Sequence, residues 1–152
     1  MSQRSSLRSV CLVVMVAVCA ALPAQADAPV GQYTASMGMV TDNKTGLIWQ
    51  QAEAPGTYTW SNAKGYCTNL DLNGAVWRLP TVKELLTLVD VTWLNPPAID
   101  TSVNGFPAAP PDLFWSTTDF AGSPSLAWLV DFDGGRTYYL DEASMYRVRC
   151  VR

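Results

Sequence analysis

Two cysteines, Cys67 and Cys150, constrain the fold of this chain more than any other feature of its sequence. Cysteines pair in oxidising compartments such as the periplasm or the extracellular space, and stay reduced in the cytosol. Whether these two pair therefore depends on whether the chain is exported, which the first residues of the sequence address.

The N-terminal residues have the pattern of a secretory signal peptide. Arg4 and Arg8 precede an uncharged, largely apolar run over residues 10–22, and Ala24 and Ala26 match the small-residue cleavage pattern. The run is shorter than the roughly 20 residues of a transmembrane helix. We therefore predict a cleaved signal peptide at residues 1–26, export to the periplasm or beyond, and no transmembrane segment.

Export would determine whether the remaining cysteines are oxidised to a disulfide or stay reduced. Cys11 and Cys19 are removed with the signal peptide, so Cys67 and Cys150 remain in an oxidising compartment and are predicted to form one disulfide. A lipoprotein would use Cys19 as its lipidated residue, but Val18 is larger than the residue that such processing usually requires.

Composition excludes several classes of function. The chain has no histidine, so Ser-His-Asp and Cys-His catalysis and the commonest metal ligand are absent. Cleavage after Ala26 leaves 8 basic and 13 acidic side chains, which disfavours nucleic acid as a partner. We expect no enzyme activity; the less favoured alternative is a glycan hydrolase that uses two carboxyl groups across a cleft.

The first half of the exported chain is predicted to contain a flexible leader, a strand pair and two helices. Residues 27–38 are small and polar and are assigned to the leader, and the folded domain is assigned to residues 39–152. Residues 39–50 read as strand, turn, strand. Apolar spacing predicts a helix over 59–70, and Thr81 with Glu84 forms the capping-box pattern that begins a second helix.

The second half is predicted to be a proline-rich loop followed by strands. Five prolines exclude regular structure between Val91 and Leu113, so this long loop either carries function or is irregular packing held by Trp93, Ile99 and Phe106. Strands are predicted at 113–118, 126–132, 136–140 and 146–151, with a hairpin turn at 133–135. Two helices and several strands in one chain indicate the α+β class.

Six phrases of the sequence together resemble a known family. They are Thr41-Asp-Asn-Lys-Thr-Gly-Leu-Ile-Trp49, Trp60-x-x-Ala63-x-x-Tyr66-Cys67, Trp77-Arg-Leu-Pro-Thr-x-x-Glu-Leu85, Phe114-Trp-Ser-Thr117, Ala127-Trp128 to Gly134 and Arg147-Val-Arg-Cys-Val-Arg152. In this order they are similar to the bacterial Lcl C-terminal domain family, one member of which ends a collagen-like surface adhesin. The resemblance implies a C-type-lectin-like fold, in which two helices pack on an antiparallel sheet with a long irregular loop and one structural disulfide.

Three groups of residues are candidates for ligand binding, and each also has a plain structural interpretation. Carboxylates of Asp131 and Asp133, with Asp119 or Asp141, would suit calcium, although Asp-Gly-Gly is ordinary turn chemistry. Aromatic residues of the strands would stack on sugar rings or else fill the core: Trp115, Trp128, Tyr138 and Tyr139. Arginines would bind an anionic glycan or else pair with acidic neighbours: Arg78, Arg136, Arg147, Arg149 and Arg152.

These observations favour a secreted, non-catalytic, lectin-like binding module for a glycan or the cell-envelope surface. The alternative is a structural or protein-interaction module without a sugar site. We predict the ligand site where the loop of residues 91–113 meets the strands that carry Trp115, Asp119, Trp128, Asp131 and Asp133, with the strip of Arg147 and Arg149 as the alternative location. Calcium is the one cofactor considered, and no other is expected.

Overall fold

The computed structural model describes residues 31–92 and 95–152, so the predicted signal peptide and Trp93 lie outside the described part of the chain. Two antiparallel three-stranded sheets and two short helices make up this part, confirming the predicted α+β class, with two sheets in place of one. The elements are β1 Tyr33–Ser36, β2 Met39–Asp42, β3 Ile48–Gln50, α1 Trp60–Thr68, α2 Val82–Leu86, β4 Leu113–Asp119, β5 Leu126–Asp131 and β6 Arg136–Asp141.

The segment assigned to a flexible leader contains strand β1, which corrects that assignment. β1 pairs antiparallel with β2, and Tyr33 lies opposite Asp42. The ring of Tyr33 is buried and meets the ring of Phe106 edge to face, with 5.6 Å between centroids. One buried aromatic ring thus anchors a segment whose small polar residues alone predict no strand.

The predicted strand, turn and strand of residues 39–50 are confirmed as β2 and β3. The buried carboxylate of Asp42 accepts hydrogen bonds from Lys44 N at 2.9 Å and from Thr45 Oγ1 at 2.7 Å. Gly46 adopts a φ of +76°, a conformation that side chains rarely permit, so glycine closes the turn. The turn is therefore set locally by its own residues.

Helix α1 confirms the first predicted helix and buries Trp60, Ala63 and Cys67 on one face. Thr59 is the N-cap residue, but its side chain forms no capping hydrogen bond. The helix stops at Thr68, before the predicted end, because Asn69 takes a non-helical conformation and its backbone N–H bonds back to the helix. Cys67 consequently points into the core, as its position on the apolar face predicts.

Helix α2 begins with the predicted capping box. Thr81 accepts a hydrogen bond from Glu84 N at 3.2 Å, and the Glu84 carboxylate accepts from Thr81 N at 2.7 Å. Arg78 adds two hydrogen bonds to that carboxylate, at 2.8 and 2.6 Å. Glu84 is therefore fully engaged in structure, which supports the capping interpretation over a catalytic one.

We expect Glu84→Gln to remove a pH-dependent part of the stability. The bonds from Arg78, and then those from Thr81, lower the pKa of Glu84 to about 2, against burial, which raises it. The unfolded pKa is higher, near 4.3, so the contribution is present above that value and disappears as pH falls through about 2. Because Arg78 is half exposed, the difference at neutral pH should be about 1 kcal/mol or less. Urea titrations of wild type and variant across pH measure it.

Arg78→Gln is the matched variant for this measurement. It should remove much of the same pH-dependent difference, since it deletes the partner that holds the carboxylate ionised. If the difference in the free energy of unfolding between wild type and Glu84→Gln stays constant from neutral pH to pH about 2, the lowered pKa of Glu84 does not contribute to stability.

Strands β4, β5 and β6 form the second sheet at nearly the predicted positions. β4 and β5 run in register from Leu113 opposite Asp131 to Trp115 opposite Leu129, and a bulge then shifts the pairing so that Asp119 lies opposite Ala127. β5 and β6 pair without interruption from Leu126 opposite Asp141 to Asp131 opposite Arg136. β6 is the outer strand of this sheet.

Residues 146–151, predicted as a final strand, form instead an irregular segment that joins the two sheets. Val151 bridges both Trp49 of β3 and Arg78, and Arg147 bridges Phe114 of β4. Because the segment bonds to two partners that lie in different directions, it cannot form the regular hydrogen-bond ladder of a single strand. The segment thus closes one edge of each sheet.

The predicted disulfide is confirmed between Cys67 of α1 and Cys150 of this joining segment, with 5.5 Å between the Cα atoms. Both cysteines are fully buried, in a core cluster with Trp77 and Trp115. The disulfide therefore fixes the first helix to the segment that holds the sheets together.

The loop between Val91 and Leu113 is irregular, as its prolines predict, and it contributes to the core. Ile99 and Phe106 are buried in a second cluster with Trp49 and Phe114. The packing interpretation of the loop is thereby supported for these two residues.

Candidate binding surface

Three aromatic rings form a cluster on one face of the second sheet. Phe120 and Tyr139 stack nearly parallel, with 4.0 Å between centroids and 9° between planes. Trp128 meets both rings edge to face, at 5.6 Å from Phe120 and 5.4 Å from Tyr139. Tyr139 is 48% exposed. We call Phe120, Trp128 and Tyr139 the aromatic cluster.

The sheet register brings these three rings together. Trp128 and Tyr139 lie directly opposite each other on β5 and β6 and so share a face. Phe120 follows β4, and its backbone N–H donates to the carbonyl of Leu126 at 2.8 Å, which seats its ring beside Trp128. Gly122 lies against the ring of Phe120, and a Cβ atom there would approach Phe120 Cε1 to 2.4 Å, so any other residue would displace the ring.

Polar groups lie beside the aromatic cluster. Asp141 is two residues from Tyr139 on the same strand, and alternation places both side chains on one face. Its Oδ1 accepts a hydrogen bond from Ala143 N at 2.8 Å, which fixes the carboxylate. Ser123 and Ser125 share a hydrogen bond of 3.2 Å in the exposed β4–β5 turn. The surface therefore combines apolar rings with oriented oxygen atoms.

Trp115 does not belong to this surface, although it was a predicted site residue. Its side chain is fully buried, and its indole N–H donates to the carbonyl of Tyr58 at 2.8 Å. It lies on the opposite face of the sheet, in the cluster that contains the disulfide. Trp115 is a core residue because that face is covered by α1 and the joining segment.

The predicted carboxylate set is divided between the two ends of the second sheet. Asp119 pairs near Ala127, whereas Asp131 is at the far end of β5, about 13 Å along the strand. Asp131 Oδ1 accepts a hydrogen bond from Asp133 N at 2.9 Å, so these two form a local turn. Within residues 31–92 and 95–152, no three acidic or cysteine side chains lie together as metal ligands would.

The arginines predicted to form a strip do not lie together, because each of their side chains contacts a different part of the protein. Arg147 pairs with Asp112 at 3.1 Å, Arg78 with Glu84, and Arg152 lies over the ring of Trp77. Arg149 is completely buried and has no surface to offer a ligand. Arg147 and Arg149 therefore cannot act together on an anionic glycan.

Arg149 is instead the buried cation of the core. Its Nη1 donates hydrogen bonds to the backbone carbonyls of Gln50, at 2.8 Å, and Gln51. Its guanidinium lies 4.4 Å from the ring centroid of Phe106, and Nη2 is 3.5 Å from the Glu53 carboxylate. Burial lowers the pKa of Arg149 to about 10, while Glu53 opposes that shift, so the group stays protonated at neutral pH.

An apolar groove of about 320 Å³ lies apart from the aromatic cluster, beside the first sheet. Leu70 and Leu72, which follow α1, face Pro107 and Ala108 of the long loop across it. Sequence reasoning missed this groove, since its walls come from segments far apart in the chain. The groove is lined mainly by apolar surface and offers few hydrogen-bonding groups.

None of the helices in the described residues is long and apolar enough to span a membrane. No curated protein matches the chain. The model of the Lcl C-terminal domain matches residues 38–152, which include every strand and helix described above except β1. This match over most of the chain, together with the family's phrases placed in one disulfide-closed fold, shows that the chain belongs to the Lcl C-terminal domain family.

Proposed function

We propose that this chain is an exported, non-catalytic binding module of C-type-lectin-like fold, whose saccharide ligand stacks on the aromatic cluster. The observation that carries the proposal is the exposure of Tyr139 within a fixed group of three rings on the outside of a sheet. Exposed aromatic groups with polar neighbours mark binding surfaces more often than isolated exposed side chains do.

The aromatic cluster and its polar neighbours suit a sugar, which has both an apolar face and polar hydroxyl groups. The apolar C–H face of a pyranose ring packs on an aromatic ring, while its hydroxyl groups need hydrogen-bond partners. Asp141 on the same face supplies carboxylate oxygens beside the rings, whereas Asp119, opposite Ala127, points to the other face of the sheet. Because mutual contacts already hold the three rings, binding requires little further ordering of side chains.

The test compares two neighbouring tyrosines on opposite faces of β6. Tyr139→Ala and Trp128→Ala should each weaken saccharide binding by at least about tenfold, since each removes a ring of the cluster. Tyr138→Ala is the matched control, because Tyr138 is similarly exposed, at 41%, but points to the other face. A glycan array identifies the ligand, and calorimetry with that saccharide measures each variant.

Equal losses from Tyr138→Ala and Tyr139→Ala would contradict the placement of the site. A chain that binds no saccharide but retains a protein from envelope extracts would instead support the protein-interaction alternative. In that case the apolar groove between Leu72 and Pro107 is the surface to mutate first.

A further inference from the structure

We propose that two copies of this chain pair through the outer edges of their β6 strands, joining the second sheets into one six-stranded antiparallel sheet. The proposal is independent of saccharide binding. It rests on the free backbone groups of β6, on the residues that a two-fold axis brings together, and on the charges at the two ends of the strand.

Within the described part of the chain, the outer edge of β6 leaves the backbone groups of Thr137 and Tyr139 without a partner, while the Asp141 carbonyl accepts a turn hydrogen bond from Ser144 N at 2.9 Å. Glu142 N donates to Ser125 O at 3.0 Å, which extends the ladder with β5 and shows that even-numbered residues face β5. The carbonyl of Trp128, opposite Tyr139, accepts instead from Ser116 Oγ on the β4 side at 2.7 Å, which agrees with this assignment. The N–H groups of Thr137, Tyr139 and Asp141 therefore point to the outside of the sheet.

The middle of β6, residues 137–140, carries none of the usual protection of such an edge, since the two charges of the strand, Arg136 and Asp141, lie at its ends. Natural edge strands avoid pairing by means of charged side chains, above all lysine, and by proline, bulges or short length. β6 is six residues long, has no lysine or proline, and pairs with β5 without a bulge. An edge of this kind is suited to accept another strand.

A two-fold axis perpendicular to the sheet selects a self-complementary register. With Tyr139 opposite its own copy, Thr137 lies opposite Asp141 of the second chain. Each residue whose backbone N–H points out of the sheet therefore lies opposite another such residue. The same register places Arg136 of each copy opposite Glu142 of the other. These cross-strand pairs occur twice because the interface is symmetric.

Both charged residues are available for this pairing. Arg136 is exposed and Glu142 is partly exposed. Neither belongs to the ion pairs found within residues 31–92 and 95–152. Arg136 begins β6 and Glu142 directly follows it, so the charges at the two ends of the paired segment match their opposites in a second copy, which is why the occupant we infer is this same chain.

The test uses charge reversal, read by sedimentation equilibrium of the exported chain. Wild type should sediment as a dimer. Arg136→Glu and Glu142→Arg should each raise the dissociation constant about tenfold or more, since each places two like-charge pairs in the interface. The double variant Arg136→Glu, Glu142→Arg should restore the wild-type value, because it exchanges the partners and keeps the pairs.

A backbone variant tests the edge itself. Thr137→Pro removes an outward N–H without removing a bond to β5, so it should abolish dimerisation, whereas Thr137→Ala should leave it intact. If the proline variant does not fold, the charge-reversal series still decides. A wild type that is monomeric at its highest soluble concentration, or a dimer insensitive to both series, would overturn the proposal.

Discussion

Reducing the Cys67–Cys150 disulfide is expected to lower the free energy of unfolding by about 4–5 kcal/mol. The two cysteines are 83 residues apart in sequence, so the disulfide removes many conformations from the unfolded chain. Both are buried, and Cys150 lies in the segment that joins the two sheets. Denaturant titrations with and without reductant measure the change, after mass spectrometry has shown that the oxidised chain has no free thiol.

The double variant Cys67→Ala, Cys150→Ala is the control for effects of the reductant itself. It should be as unstable as the reduced wild type and should not respond to reductant. Alkylation of both Cys67 and Cys150 in the unreduced wild type, or equal stability of both redox states, would show that the disulfide does not support the fold in solution.

Arg149→Met is expected to destabilise the chain by about 3–5 kcal/mol, the usual cost of removing one partner from a buried charged contact. The substitution keeps much of the side-chain volume but leaves the carbonyls of Gln50 and Gln51 without their donor. It also removes the cation beside Glu53 and above the Phe106 ring. Thermal and urea unfolding of wild type and variant give the difference.

Arg147→Gln is the matched control, because it removes an arginine two residues away in the same segment. Arg147 pairs with Asp112 at the surface, so its loss should cost less than about 1 kcal/mol. If the two variants are equally stable, the buried position of Arg149 does not carry the energetic role that its contacts indicate.

Local sequence signals predicted the elements of this fold well. Alternation and turn residues placed β2 to β6, and the Thr81–Glu84 pattern placed the start of α2, because each depends on neighbours within a few residues. β1 was missed because its pairing rests on a contact between Tyr33 and Phe106, which are distant in sequence. The irregular course of residues 146–151 was missed for the same reason, since it reflects two partners at once.

The candidate site was harder to predict than the fold. Arginines are mostly exposed, so the sequence predicted a surface position for Arg149, with a strip of arginines as the alternative site. The carbonyls of Gln50 and Gln51, which are distant in sequence, explain why Arg149 is buried. Trp115 and Trp128 are alike in sequence, and the cover on each face of the sheet decides that Trp115 is fully buried whereas Trp128 is only partly buried. Phe120 was not predicted, because the bulge in β4 and the turn that follows it determine its contact with Tyr139.

The joining segment also sets the order in which this chain can fold. Ile48 and Arg152 exchange backbone hydrogen bonds across about 100 residues, so the contacts that complete the fold are among its most distant in sequence, a property that slows folding. The chain emerges N-terminus first, so β3 and β4 precede residues 146–151, and until those residues arrive the edge of each strand that they close has no partner. Unpaired strand edges attract other chains. The emerging chain is therefore most exposed to misassociation in the interval between the appearance of β4 and that of Val151.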